Sequence, residues 1–287
     1  MISSRSPVVA GWELALRLRR RREELGLDVK AITDELGFTR NYWSAVENER
    51  KVLSEENLTK IIDLFQFDEA DGQELIDLRE ATRGRNWVSD YSDQFDSQVQ
   101  RLYAIEDGAD SVRVYDSLVV PGLLQTPDYT RAISTQSITT RPVEIDQRVE
   151  VRQRRQERLT GSKPLRLTAV LSEAALRQQI GGTPVLREQL THLISMTEAH
   201  PDTIEIRIIP FTATYCGLFG SSTVNIFDFE NPKLPTIAWH ETVTTWGFIE
   251  NPIRIRDIAT TFESTLSRTL DTRNSVAMIR RCIQELA

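Results

Sequence analysis

Residues 25–53 read LGLDVKAITDELGFTRNYWSAVENERKVL, and this stretch decides the fold of the N-terminal third. Asp28 is placed to cap a helix over 29–36, on which Ile32 and Leu36 repeat at i,i+4 with Ala31 as a small contact. Gly37 follows, where a left-handed residue closes a helix before a sharp turn. Thr39 then caps a third helix over 40–48, with Trp43 and Val46 inward and Asn48 at its end. Two short helices joined through a glycine turn have the spacing of a helix-turn-helix, whose second helix can enter a DNA major groove.

Working outward, WELALRLRRRREEL (12–25) predicts a first helix with Leu14, Leu18 and Leu25 in its apolar stripe, ended by Gly26. A fourth helix is expected over 54–65, capped by Ser54 and burying Leu58, Ile61, Ile62 and Phe65, and a fifth over 71–82 with Leu75 and Leu78 inward. The residues near the start of the third helix are the base-reading candidates: Thr39, Arg40, Asn41, Tyr42 and Ser44. Arg40 can fork onto guanine O6 and N7, Asn41 can pair with adenine N6 and N7, and Ser44 suits either. Arg19, Arg20, Arg22, Arg50 and Lys51 are phosphate candidates, which position a reader without encoding sequence. The competing reading is a five-helix packing module whose arginines form a solvated face.

Charge argues mildly against DNA binding. The net charge is −7, and residues 1–84 hold 13 Lys and Arg against 17 Asp and Glu. The distribution matters more than the total, because phosphates respond to the local field. Residues 1–22 carry Arg5, Arg17, Arg19, Arg20, Arg21 and Arg22 against the single acid Glu13. The chain has 287 residues, enough for two domains. Cys216 and Cys282 are the two cysteines, and neither belongs to a CxxC pair. The start, MISSRSPVVAGWELAL, lacks the apolar core of a signal peptide, and no 18-residue apolar run exists. A reduced, cytoplasmic protein with no membrane span is expected.

The remainder predicts an α+β domain with a mixed sheet packed by helices. Residues 84–110 read as a linker passing into a helix, so the expected division is 1–83, 84–110 and 111–287. Strands are expected over 111–122, 165–171, 203–209, 222–229, 236–240 and 243–249. Helices are expected from Pro127, over 143–159, from Ser172, and over 184–199, 252–270 and 274–286. The 143–159 helix alternates arginines with acids, which favours a solvated helix over an anion face. His192 is expected on the flank of its helix.

Enzymatic motifs are incomplete. His240-Glu241 begins like HExxH, but Thr244 stands where the second histidine belongs, so no metal and no cofactor are expected. Cys216 with His240 would need spatial proof, and Gly217, Gly220, Ser221 and Ser222 lack the lysine of a nucleotide loop. The turn PFTATYCGLFGSS (210–222) carries Phe211, Tyr215 and Phe219 with little charge. Those aromatics, with His240, are candidates for a small-molecule pocket or a partner surface, the blander role being a loop folded over the sheet.

The residues also carry a family resemblance. LRRRREELGLDVKAITDELGFTRNYWSAVENERKV resembles the phage-repressor-like (XRE-type) helix-turn-helix, with Gly26, Leu27, Leu36, Gly37, Ser44 and Glu47 in matching places. It departs at Asp28-Val29, where Thr-Gln is usual, at Trp43 for Ile or Val, and at Leu53 for proline. VPGLLQTPDYTRAI (120–133) resembles the signature of a large actinobacterial regulator family with an uncharacterised C-terminal domain. RVEVRQRRQERLT (148–160), VLSEAALRQQIGG (170–182), REQLTHLI (187–194), IRIIPF (206–211) and GLFGSSTVNIFDF (217–229) fit it in order, while IAWHET (237–242) departs from the usual VVYVET. The resemblance implies an antitoxin-like transcriptional repressor: a homodimer on a palindromic operator, modulated by a small partner protein encoded nearby. A small-molecule effector, or an interaction module that has lost DNA binding, are the alternatives.

Overall fold

The computed structural model describes residues 6–137 and 140–286; Arg5 lies outside them. The chain divides into two compact units, Met1–Gly108 with Asn231–Leu234, and Ala109–Glu230 with Pro235–Ala287.

The first unit is helical: α1 (Pro7–Glu24), α2 (Val29–Leu36), α3 (Arg40–Glu47), α4 (Glu55–Leu64), α5 (Glu69–Ala81), a 3-10 turn (Trp87–Tyr91) and α6 (Ser97–Gly108). Its core gathers Leu14, Leu18, Ile32, Trp43, Val46, Leu58, Ile61, Phe65, Leu75 and Leu78, as the 3.6-residue periodicity predicts. Trp43 meets Phe65 edge-on at 5.9 Å between ring centres. Ala31 is exposed instead of packed, and Ile62 is half-buried. The first helix begins five residues before its expected start. Pro7 opens it, and Val9 and Ala10 are buried. Gly11 interrupts the helical pattern there, yet a Cβ on it would meet only the Thr82 methyl at 3.6 Å. The segment expected as a linker holds the 3-10 turn and α6, and its residues through Gly108 cluster with this unit.

The second unit is built on a mixed sheet of order β3-β2-β1-β4-β5-β6. Its strands are β1 (Ser111–Asp116), β2 (Arg166–Ser172), β3 (Ile204–Ile209), β4 (Thr223–Asp228), β5 (Ile237–Glu241) and β6 (Trp246–Ile249). β1, β2 and β3 run parallel, and β4 to β6 continue from β1 antiparallel. The parallel pairs need helical crossovers. α7 (Pro127–Gln136) and α8 (Ile145–Thr160) supply the first, α9 (Glu173–Arg177) and α10 (Thr183–Ala199) the second. α11 (Pro252–Leu266) lays Ile255 and Phe262 on a core with Tyr115, Val170, Val224, Ile226 and Ala238. α12 (Thr272–Glu285) closes the described chain.

Two strands are shorter than their alternation predicts, for local reasons. Asp116 Oδ1 accepts the backbone N–H groups of Leu118 and Val119, both at 3.2 Å, and turns the chain out of β1. The Thr242 hydroxyl accepts from Thr245 N at 2.9 Å, forming the turn that delays β6 to Trp246. The outer edge of β3 is met by Leu270, before α12, and by Ser275 in the first turn of α12. Ile208 N donates to Ser275 Oγ at 3.0 Å, and Ile208 O accepts from Leu270 N at 2.9 Å.

Exposed Arg154 of α8 pairs with Glu157 at 3.1 Å, as a solvated helix would, but three other arginines of the helix turn into the fold. Arg158 donates to Lys163 O at 2.6 Å and Ala109 O at 2.8 Å, Arg152 donates to Gln125 Oε1, and Arg155 is buried. Gly122 is the contact point. A Cβ there would lie 3.2 Å from the Arg155 guanidinium, so the turn backbone seats against the arginines because it has no side chain.

Candidate nucleic-acid interface

The interface is built from α2, its turn and α3. Asp28 caps α2 by accepting from Ala31 N at 2.7 Å. Gly37 takes φ of 70°, the left-handed closure that the turn requires. Thr39 caps α3 by accepting from Tyr42 N at 3.1 Å. Ile32, Trp43 and Val46 bury the inner faces of both helices. The outer face therefore has a fixed membership: Thr39, Arg40, Asn41 and Ser44 are exposed together around the first turn of α3.

Tyr42 differs from these four. It is half-buried, with its ring 4.9 Å from Phe38 and the Lys51 ammonium 5.1 Å over the ring. Lys51 is thereby brought beside the reading helix, and exposed Arg50 lies next to it. Both backbone N–H groups return to Ala45 O, at 2.8 and 3.0 Å, so the two cations sit on a wrapped turn, not a loose loop.

The arginines of α1 have internal partners. Arg22 Nε donates to Glu47 Oε1 at 2.5 Å and its Nη1 to Leu27 O at 3.1 Å, while Arg19 donates to Glu47 O. Arg21 reaches Phe65 O and Gln66 O at 2.8 and 2.9 Å, closing α4. Buried Arg17 pairs with Asp71 at 2.6 Å and Glu74 at 2.8 Å. Cations at helix C-termini satisfy terminal carbonyls and oppose the helix dipole, which is what Arg19 and Arg21 do here. Of the phosphate candidates on α1, Arg20 stays exposed and donates to Lys233 O at 3.0 Å. The structure thus brings Arg40, Asn41, Ser44, Arg50 and Lys51 together and draws Arg19 and Arg22 into the fold.

The acids next to the reading helix are also accounted for. Glu47 is buried and held by Arg22. Glu49, in the left-handed region at φ of 61°, pairs with Arg101 of α6 at 3.1 Å. Neither carboxylate is left to neutralise the cations on the outer face. Sequence spacing gives no sign of the Arg101 partner, 52 residues away.

In the second unit, Phe211, Tyr215 and Phe219 are exposed by 63, 61 and 50%, so the loop offers an open aromatic surface. His240 is half-buried on β5 between Val224 and Gly247. Cys216 is buried, its Sγ 3.6 Å from Thr265 Oγ1. Among the described residues no group of three or more His, Cys, Asp or Glu could hold a metal ion, and no helix is long and apolar enough to cross a membrane. An open cleft of about 660 Å³ lies elsewhere, between the start of α7, Gln156 of α8 and the outer face of α10, with His192 in its wall. Its sequence sign is faint: Glu188, Thr191, His192 and Ser195 repeat at helical spacing opposite the apolar stripe of α10.

Two family models match the chain. Residues 13–75 match a helix-turn-helix domain, and residues 99–281 match the domain of unknown function DUF5753. Neither description carries a catalytic activity. No curated protein and no solved structure matches the chain. The helix-turn-helix match supports a DNA-binding regulatory role. The second match spans more than half of the sequence, and by it this chain belongs to the DUF5753 family, carrying a helix-turn-helix domain at its front.

Proposed function

We propose that the protein is a sequence-specific, antitoxin-like transcriptional repressor that works as a cytoplasmic homodimer on a palindromic operator. The observation that carries the reading is the face around the first turn of α3. Arg40, Asn41 and Ser44 are exposed there, with Arg50 and Lys51 beside them, while Glu47 and Glu49 are paired away. A bidentate arginine and a bidentate amide on one helical turn are what base-edge reading asks for. Dimerisation follows from the size of the reader, since a single small module rarely reaches specific affinity alone.

The second unit binds a small partner protein encoded nearby, and that partner changes operator affinity. The exposed aromatics Phe211, Tyr215 and Phe219 on one loop support this, because aromatic side chains are enriched in interface cores. Selection of bound sequences from a random DNA pool tests the reading. It predicts an enriched palindrome with half-site centres about 10 base pairs, or a multiple, apart. Enrichment of no motif, with and without the neighbouring small protein, contradicts it and favours an interaction module.

A further inference from the structure

The cleft beside α10 has a fixed wall. Gln189, fully buried, donates to Leu124 O and accepts from Thr126 N, both at 2.7 Å. Gln156 Nε2 donates to Gln125 O at 2.7 Å and Gly122 O at 3.0 Å. Gln125 Nε2 donates to Val120 O at 2.6 Å, and its Oε1 accepts from Thr130 Oγ1 at 3.2 Å. Three glutamines thus pin the segment from Val120 to Thr126 against α8 and α10. A wall held this way is preorganised, so an occupant need not supply the ordering energy. The volume, about 660 Å³, is that of a small-molecule site.

The lining is rich in acceptors. The Thr191 hydroxyl donates its hydrogen to Arg187 O at 2.8 Å, and the Ser195 hydroxyl to Thr191 O at 3.1 Å. Both oxygens keep lone pairs for another donor. Gln156 has spent both amide hydrogens, which leaves its Oε1 as an acceptor. Glu188 adds an exposed carboxylate. The one cation of the lining, Arg187, is turned away from this role, donating through Nη1 to Ile283 O at 3.0 Å and through Nη2 to Leu286 O at 2.7 Å. Burial pushes His192 below the usual histidine range and favours its neutral form.

We propose that this cleft is a binding site for a small organic molecule carrying an ammonium group and hydroxyl donors, the ammonium facing Glu188 and the donors facing Thr191, Ser195 and Gln156. A ligand that presents acceptors or an anion meets acceptors already in place. Binding stands on the cleft alone; that occupancy alters operator affinity rests on the regulator reading above.

The test uses the full chain without DNA, with its threonine methyls labelled, because Thr126, Thr183 and Thr191 line the cleft. The probe is 2-amino-1,3-propanediol, with glycerol and glycerate as comparators. The proposal predicts saturable shifts of those three methyls with the amine, weaker ones with glycerol and none with glycerate. Glu188→Gln weakens binding of the amine about three-fold, the scale of an exposed ion pair. Ser195→Arg, at an exposed position, fills the cleft and abolishes the shifts while leaving the Thr272 methyl unchanged. Absence of saturable shifts at the three methyls, equal or stronger shifts with glycerol or glycerate, or shifts that survive Ser195→Arg would overturn it. Because no DNA is present, failure here leaves the operator reading standing.

Discussion

The Arg22–Glu47 pair is the joint that holds α3 to α1, and breaking it is the sharpest test of how the reading helix is positioned. The two side chains are 15 and 10% exposed, and their charged atoms approach to 2.5 Å. Removing one partner of a fully buried pair costs about 3–5 kcal/mol, chiefly because the other charge is left unpaired in a poor solvent. Partial exposure reduces that, so Glu47→Ala and Arg22→Ala should each destabilise the first unit by about 2–3 kcal/mol. The double variant should lose much less than the sum, since neither charge is then stranded, with a coupling of at least ~1 kcal/mol. The assay is urea unfolding of the full chain, with 5-fluorotryptophan incorporated and the Trp43 resonance followed. Trp43 is fully buried beside Phe65, so its signal reports this core alone. Additivity of the two single changes within ~0.5 kcal/mol would refute the joint.

Other consequences are as direct. Gln189→Leu strands Thr126 N and Leu124 O in the interior, and at about 1–3 kcal/mol per unsatisfied group it should destabilise the second unit by ~2–5 kcal/mol, read by denaturant unfolding. Gly108→Ala puts a Cβ 2.5 Å from a Val9 methyl where α6 meets α1, and overpacking of about 1–3 kcal/mol should lower the unfolding midpoint of the first unit. Burial holds the Asp116 carboxyl above the usual range, with Glu241 adding to the rise. The folded state therefore prefers the protonated acid, and a stability penalty is present above the raised value and disappears as pH falls toward the ordinary carboxylate range. Asp116→Asn, which keeps the acceptor for Leu118 and Val119, should be relatively more stable than the parent at pH 8 and lose that advantage at low pH. A pH-independent difference in unfolding midpoint would contradict this.

Helix caps and periodicity made the first unit legible. Asp28, Gly37, Thr39 and Ser54 act where their chemistry places them. The mixed sheet was legible too, because its parallel strands are apolar runs separated by helical spacing. What local pattern could not show are pairings across long sequence separations. Arg22 reads as a surface cation until Glu47, 25 residues on, is seen to enclose it. Gly11 hid the start of α1, and the Asp116 carboxylate, accepting from the backbone two and three residues on, ended β1 early. Arg152 and Arg155 of α8 look solvated in a one-dimensional reading, and only the tertiary contact at Gly122 shows what they hold. The cleft is of the same kind: its two walls come from segments about 60 residues apart, joined by Gln189.

The most direct measurement of the central claim is binding of the purified protein to its own promoter region across a salt series, beside Arg40→Ala and Asn41→Ala. A good bidentate base contact contributes about 1–3 kcal/mol, so each change should weaken specific binding roughly ten- to hundred-fold per half-site. The parent's affinity should fall steeply with salt, because binding releases counterions condensed on the DNA phosphates and added salt diminishes that gain. Lys51→Ala, removing a phosphate contact, should flatten the salt slope by about 0.9 per half-site and weaken all sequences alike. Tight, salt-sensitive parent binding that Arg40→Ala and Asn41→Ala each weaken roughly ten- to hundred-fold per half-site is the predicted result. Parent and variants binding the promoter with equal affinity and equal salt slope would show that α3 does not read DNA.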